Sequence, residues 1–273
     1  MSEQSKQVKH TLIHDSDTEE FHKSLDTGFF KDQEHLLNYI LNEIPSNVNN
    51  ICEIGCGTGI VGRYIKHKLQ NVNITFVDCN EPLLDAIPDE VGVKECVDLL
   101  QYNPKSDFDC VVSRLMTHYF PKGKHQEIFN KAYELLSDDG CYIDVSALEI
   151  DHDTQAVISE FWYKEACWTA DRKGESRSDM IRPYVLTVNE VMEFADKVGF
   201  NEFTIKRFND YNLTHTIQDL VPRCKLTPPQ VKELEEFLLD QPLHVINNLG
   251  IKEVDAGVEI TQPVYILKAT KEL

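Results

Sequence analysis

"ICEIGCGTGIVG", residues 51–62, is the stretch on which the fold turns. It opens as a short apolar strand that carries one acid, Glu53. Glycines follow at 55, 57, 59 and 62. Gly57-Thr58-Gly59-Ile60-Val61-Gly62 satisfies G-x-G-x-x-G, a tight strand-to-helix turn at which bare backbone approaches a ligand. "GIVGRYIKHKL" (59–69) reads as the helix that the turn feeds. Glu53 and Gly55 extend the pattern upstream to E-x-G-x-G-x-G.

Outward from this turn, strands and helices alternate. Leu36, Leu37, Ile40, Leu41 and Ile44 recur at helical spacing ahead of it, and Pro45 ends that helix. "VNITFVDCN" is a second strand ending in Asp78, "EPLLDAI" a short helix and "GVKECVDLL" a third strand. "FDCVVSRLM" is a fourth, apolar enough to be buried on both faces. "GKHQEIFNKAYELLSDDG" predicts an amphipathic helix stopped by Gly140, with His125 on a solvated face. "CYIDVSAL" is a fifth strand, followed by an irregular aromatic-rich stretch from Glu149 to Pro183. Thr187 and Glu190 form a capping box for the next helix, which Gly199 closes. "FTIKRFN" is a sixth strand. Thr227, Pro228 and Gln230 open a clear helix, and "GVEITQPVYILKA" is the last strand.

The pattern predicts an α/β fold: a doubly wound, seven-stranded, mostly parallel sheet with helices on both faces and an antiparallel last strand. The expected division is a flexible N-terminus at 1–20 and one domain at 21–273. That domain carries a helical, aromatic lid insertion at about 149–184 and a second insertion at about 210–255. The latter's helix, with Val231, Leu234 and Leu238 on one face, is expected to pack within the domain.

Of 273 residues, 41% are hydrophobic and 27% charged, an ordinary globular composition. The net charge of −19 repels phosphate backbones and anionic membrane surfaces alike. The polar N-terminus has no apolar leader, and no apolar run reaches membrane-span length. Eight cysteines are scattered without a Cys-x-x-Cys pair, which reads as buried thiols in a reducing cytoplasm rather than disulfides or a metal site.

Two ligands suit such a turn. With Asp78 ending the next strand, a nicotinamide dinucleotide fits. Against it, a pyrophosphate does not favour the approach of Glu53, whereas a cationic sulfonium with an amino group tolerates it. "ICEIGCGTGIVGRYI" resembles the first motif of the class I S-adenosylmethionine-dependent methyltransferases, and the resemblance runs in order over about residues 35–210. It implies that Asp78 binds both ribose hydroxyls, that Asp98 in "VKECVDLL" meets the adenine amino group, and that Leu99 lies against the ring. Glu53, Gly55, Cys56, Gly57, Gly59, Cys79 and Arg114 complete the expected donor-binding set. No metal is expected.

Methyl transfer is an in-line displacement that alignment and water exclusion can drive. A base is needed only where the acceptor holds a proton. The family shares no one catalytic residue. His118, after the fourth strand in "RLMTHYF", is the first candidate base and His152, after the fifth, the second. Tyr119, Phe161, Trp162, Trp168 and Arg182 are the expected acceptor contacts, the tryptophans walling an apolar or cationic substrate. "FHKSLDTGFFKDQ" is expected to close as a second lid through Phe29 and Phe30. After strand four the chain reads "SRLMTHYF" (113–120) rather than the Asn/Asp-Pro-Pro-aromatic signature of amino-methylating nucleic-acid enzymes. The expectation is O- or N-methylation of a small molecule by a monomer or homodimer, without nucleic acid or membrane. The alternatives are an NAD(P)-dependent oxidoreductase, a protein or RNA methyltransferase, and a non-catalytic donor-binding regulator.

Overall fold

The computed structural model describes residues 30–177 and 182–272. The expectations for residues 1–20 and for Phe29 in a second lid lie outside these residues.

Helix α1 (Phe30–Glu43) precedes β1 (Asn50–Ile54), α2 (Ile60–Lys68), β2 (Asn73–Asp78), α3 (Glu81–Asp85), β3 (Val93–Cys96) and β4 (Phe108–Arg114). Then come α4 (His125–Leu135), β5 (Leu136–Ala147), α5 (His152–Lys173), α6 (Val188–Val198) and β6 (Glu202–Thr216). The chain closes with α7 (Ile217–Cys224), α8 (Pro228–Leu239), α9 (Leu243–Asn248), β7 (Lys252–Val254) and β8 (Gly257–Thr270). The sheet order is β3-β2-β1-β4-β5-β8-β6, with β7 paired to β8. Strands β1 to β5 run parallel, and β8 runs antiparallel to both β5 and β6. The winding reverses between β1 and β4, so their carboxyl ends open the crevice where ligands bind on such sheets. The strand beyond the seven expected is β7, a short hairpin partner of β8.

Each sheet face carries its own core. One packs α1 and α2 through Leu36, Leu37, Ile40 and Ile65 against Ile51, Phe76, Val112 and Ile143. The other packs α4 and α6 through Ile128, Phe129 and Val191 against Val111 and Tyr142. A third apolar cluster joins α5, α7, α8 and α9 to the start of β8, around Phe161, Ile217, Leu234, Leu238 and Ile260. Leu234 and Leu238 are therefore buried within the chain. Full burial of each such side chain contributes roughly 2 kcal/mol.

Four local expectations change. The stretch expected to be irregular is largely helical among its described residues: His152–Lys173 form the 22-residue α5, capped where the Asp151 carboxylate accepts Thr154 N–H at 2.7 Å and closed by Gly174 at φ 71°. Helix α5 is buried on several sides, at Ile158, Phe161, Ala166 and Ala170 alike, so its sequence shows no single apolar stripe. Helix α4 ends at Leu135 rather than near Gly140, because Leu136 already pairs with Phe108 in the sheet. His125 opens α4 but is buried, its Nε2 3.1 Å from the Thr117 carbonyl oxygen. Strand β6 runs on to Thr216 through a register shift between Phe208 and Asn212.

Candidate active site

Where β1 turns into α2, Gly55, Gly57 and Gly59 all take left-handed φ, at 58°, 54° and 70°. A β-carbon strains any L-residue in that region. The space beside each glycine differs. A Cβ on Gly55 would lie 2.1 Å from Met116 Cγ, and one on Gly59 2.7 Å from Phe76 Cε1. Packing alone therefore demands both residues. Among the described residues a Cβ on Gly57 would meet only Leu83 Cδ1, at 3.9 Å, which leaves the space over Gly57 open on their side.

Asp78, half-buried at the end of β2, faces that turn. Gly57 N–H donates to its Oδ2 at 2.8 Å and Asn80 N–H to its Oδ1 at 2.9 Å. Two carboxylate oxygens side by side form the acceptor pair that a vicinal diol calls for. Asp98 caps the turn Leu99–Gln101, accepting Leu100 N–H at 2.9 Å. The open space over Gly57 beside a fixed two-oxygen acid fits an adenosyl ribose.

Glu53 departs from the sequence-based expectation. It is buried, and its carboxylate accepts Gly62 N–H at 2.7 Å and Val61 N–H at 3.4 Å. Its oxygens cap the N-terminus of α2 from below, which satisfies donors that a helix leaves unpaired. Burial pushes its pKa up to about 7, against the opposing pull of those N–H groups and of the Arg114 guanidinium. Leu99 is buried in the core beneath α4. Cys56 is buried in the core under α2, and Cys79 is exposed beside Asp78. Arg114, at the tip of β4, donates to Gln33 Oε1 of α1 at 2.6 Å.

Comparison with known proteins identifies the turn. Residues 52–142 match the family model for a methyltransferase domain. That third of the chain is similar to a methyltransferase domain, and the whole chain shares the fold of solved methyltransferases. A malonyl-[acyl-carrier protein] O-methyltransferase of Ilyobacter polytropus is 37% identical over 79 residues, which are 27% of this chain and 30% of that protein. The match thus spans less than a third of that curated relative. Among solved structures, a methyltransferase-like protein of Bacillus halodurans superposes with a TM-score of 0.67 at 17% identity, over 88% of this chain and 98% of that one. A phosphoethanolamine N-methyltransferase of Haemonchus contortus, solved with phosphomonomethylethanolamine and S-adenosylhomocysteine, gives 0.57 at 14% identity, over 88% and 53%.

The other expected site residues scatter. His118 and Tyr119 lie in the turn Thr117–Tyr119 after β4, their rings 4.2 Å apart. Burial, then the neighbouring His125, push His118 down to about 4, so its imidazole is neutral and a weak base. His152 is exposed in the first turn of α5, its Nδ1 3.0 Å from Gln155 Oε1. Phe161 is fully buried in the third apolar cluster, and Trp168 packs against it. They hold the helical unit together rather than form a lid. Exposed Arg182 pairs with Glu160 and lies over the Tyr163 ring.

Sequence reasoning passed over Glu149, just past the carboxyl end of β5. It is 1% exposed, and Gln262 Nε2 donates to its Oε1 at 3.1 Å. Trp162 Nε1–H donates in turn to Gln262 Oε1 at 3.4 Å. The signal was present as an acid closing the apolar run "CYIDVSAL". Among the described residues, no group of three His, Cys, Asp or Glu side chains is placed to hold a metal, and no helix is long and apolar enough to cross a membrane.

Proposed function

We propose that this protein is an S-adenosylmethionine-dependent methyltransferase acting on an O or N atom of a small organic molecule. The observation that carries the reading is Asp78, whose oxygens are fixed by Gly57 and Asn80 beside the open space over Gly57. In this reading Asp78 accepts the two ribose hydroxyls and Asp98 the adenine amino group. The donor supplies a methyl group already activated by positive sulfur. The chain's own work is to hold donor and acceptor in line and to exclude water. Helix α5, with α7 to α9, covers the start of β8 and supplies the wall that confines a small acceptor.

The small-molecule reading is supported by the net charge of −19 and by "SRLMTHYF" after β4. All eight cysteines are free thiols, in keeping with a reducing cytoplasm. Cell extract incubated with the full chain and radiolabelled S-adenosylmethionine tests the acceptor class. Label that passes a 3 kDa filter is the expected result; label retained on protein or RNA overturns the small-molecule assignment.

A further inference from the structure

We propose that a cavity at the amino end of the parallel strands is a second small-molecule site, which takes an uncharged aminopyrimidine, cytosine or its nucleoside. It goes beyond the methyltransferase reading and does not rest on it.

The cavity follows from the way β3 reaches β4. A parallel crossover usually carries a helix that packs on the sheet. Here the connection is one short turn, Leu99–Gln101, and then irregular chain as far as Phe108. Between that connection and the amino ends of β1 and β2 lies a cavity of about 590 Å³, within the ~300–1,000 Å³ usual for small-molecule sites. It is separate from the crevice at Asp78. Thr75, on its wall, precedes Asp78 by three residues of β2, roughly 10 Å along the strand.

The walls hold hydrogen-bonding groups that the fold itself does not use. Tyr102 is 7% exposed and lines the cavity, and its hydroxyl makes no hydrogen bond with a described residue. Burial, then the Cys52 thiol and the Glu95 carboxylate, raise its pKa, so the phenol stays protonated and can donate. A polar group so largely buried calls for a partner. Glu95, on β3, lines the same cavity without a hydrogen bond or ion pair to a described residue, and a carboxylate can only accept. At the start of β2, Asn73 donates to Asn50 Oδ1 at 3.0 Å, which leaves the Asn50 amide hydrogens as further donors on the wall.

One obligate acceptor beside several donors selects a ligand edge with one amino group and two acceptors. Cytosine has that edge. A carboxylate accepts from its N4 amino group, the part that falls to Glu95. Tyr102 and Asn50 then donate to N3 and O2. Val97, Pro104 and Phe108 give the ring apolar contact. Lys105 is the one cation on the walls among the described residues, and Glu95 offsets it. With a net charge of −19, the chain favours the free base or nucleoside over a nucleotide or RNA.

The test titrates the full chain with cytidine, uridine and glucose, with and without saturating S-adenosylhomocysteine, and follows backbone amide NMR shifts. Uridine differs from cytidine by a carbonyl where the amino group stands. The expected result is one cytidine site, with shifts at residues 95–106, the same affinity in both conditions, and uridine about tenfold weaker or more. Glu95 is exposed, so Glu95→Gln reads binding rather than folding; it should erase the preference for cytidine. Tyr102→Phe should weaken cytidine about fivefold or more, as expected for one lost hydrogen bond. No cytidine binding up to about 10 mM overturns the proposal, as does uridine or glucose bound equally well. Displacement of cytidine by S-adenosylhomocysteine, or a Glu95→Gln protein that keeps the preference, overturns it too.

Discussion

Replacing Glu53 by glutamine separates its role under α2 from any role in ligand binding. In the folded chain burial holds the Glu53 pKa at about 7, against an ordinary value of 4.5. A carboxyl that binds its proton more tightly when folded contributes stability that is complete below pH 4.5. That contribution fades as pH rises and is lost above 7. At ~1.36 kcal/mol per pH unit, the difference between 4.5 and about 7 amounts to roughly 3 kcal/mol. Glutamine keeps an oxygen for Gly62 N–H, bonded to Glu53 at 2.7 Å, but sets an amide donor toward Val61 N–H. That mismatch costs about 1–3 kcal/mol at every pH. Urea unfolding of both proteins from pH 4.5 to 8 reads the difference directly. Buried Asp144 and Glu149, also raised, contribute equally to both and cancel. Glu53→Gln should be the less stable protein at pH 4.5 and should gain about 3 kcal/mol relative to the parent by pH 8. A gap that stays constant with pH, or widens against the variant as pH rises, refutes the reasoning.

Gly55→Ala forces a β-carbon at φ 58° and 2.1 Å from Met116 Cγ. It should cost about 2–4 kcal/mol by urea unfolding, and adding Met116→Ala should relieve the clash but not the strained backbone. His118→Ala should leave turnover within about tenfold, because a ring held at about 4 is a poor base at neutral pH. A loss in kcat of a hundredfold or more would return His118 to the chemistry.

The glycine turn and the acids that flank it were legible because their constraints are local. A strand, a glycine turn with positive φ, and acids at the next strand ends all leave their mark within a few residues, as Gly57, Asp78 and Asp98 do. Capping chemistry was equally readable: Thr187 and Glu190 form the box that their spacing implies. Glu53 was misread because spacing alone does not say which way a strand side chain points. The structure turns it beneath α2. Helix α5 was read as a loop because burial on several sides erased its stripe. The Trp162–Gln262–Glu149 chain links residues up to 113 positions apart, a juxtaposition created by the β5–β8 pairing and invisible to local pattern.

Calorimetric titration of the full chain with S-adenosylhomocysteine and, separately, with NADH bears most directly on the adenosyl pocket at the tips of β1 and β2. The account predicts one site for S-adenosylhomocysteine and no heat from NADH. It also predicts an affinity ten- to a thousandfold weaker in Asp78→Asn, about 1.4–4 kcal/mol for charge-assisted hydrogen bonds. Binding of NADH in place of S-adenosylhomocysteine, or an Asp78→Asn protein that binds it as tightly as the parent, would contradict it.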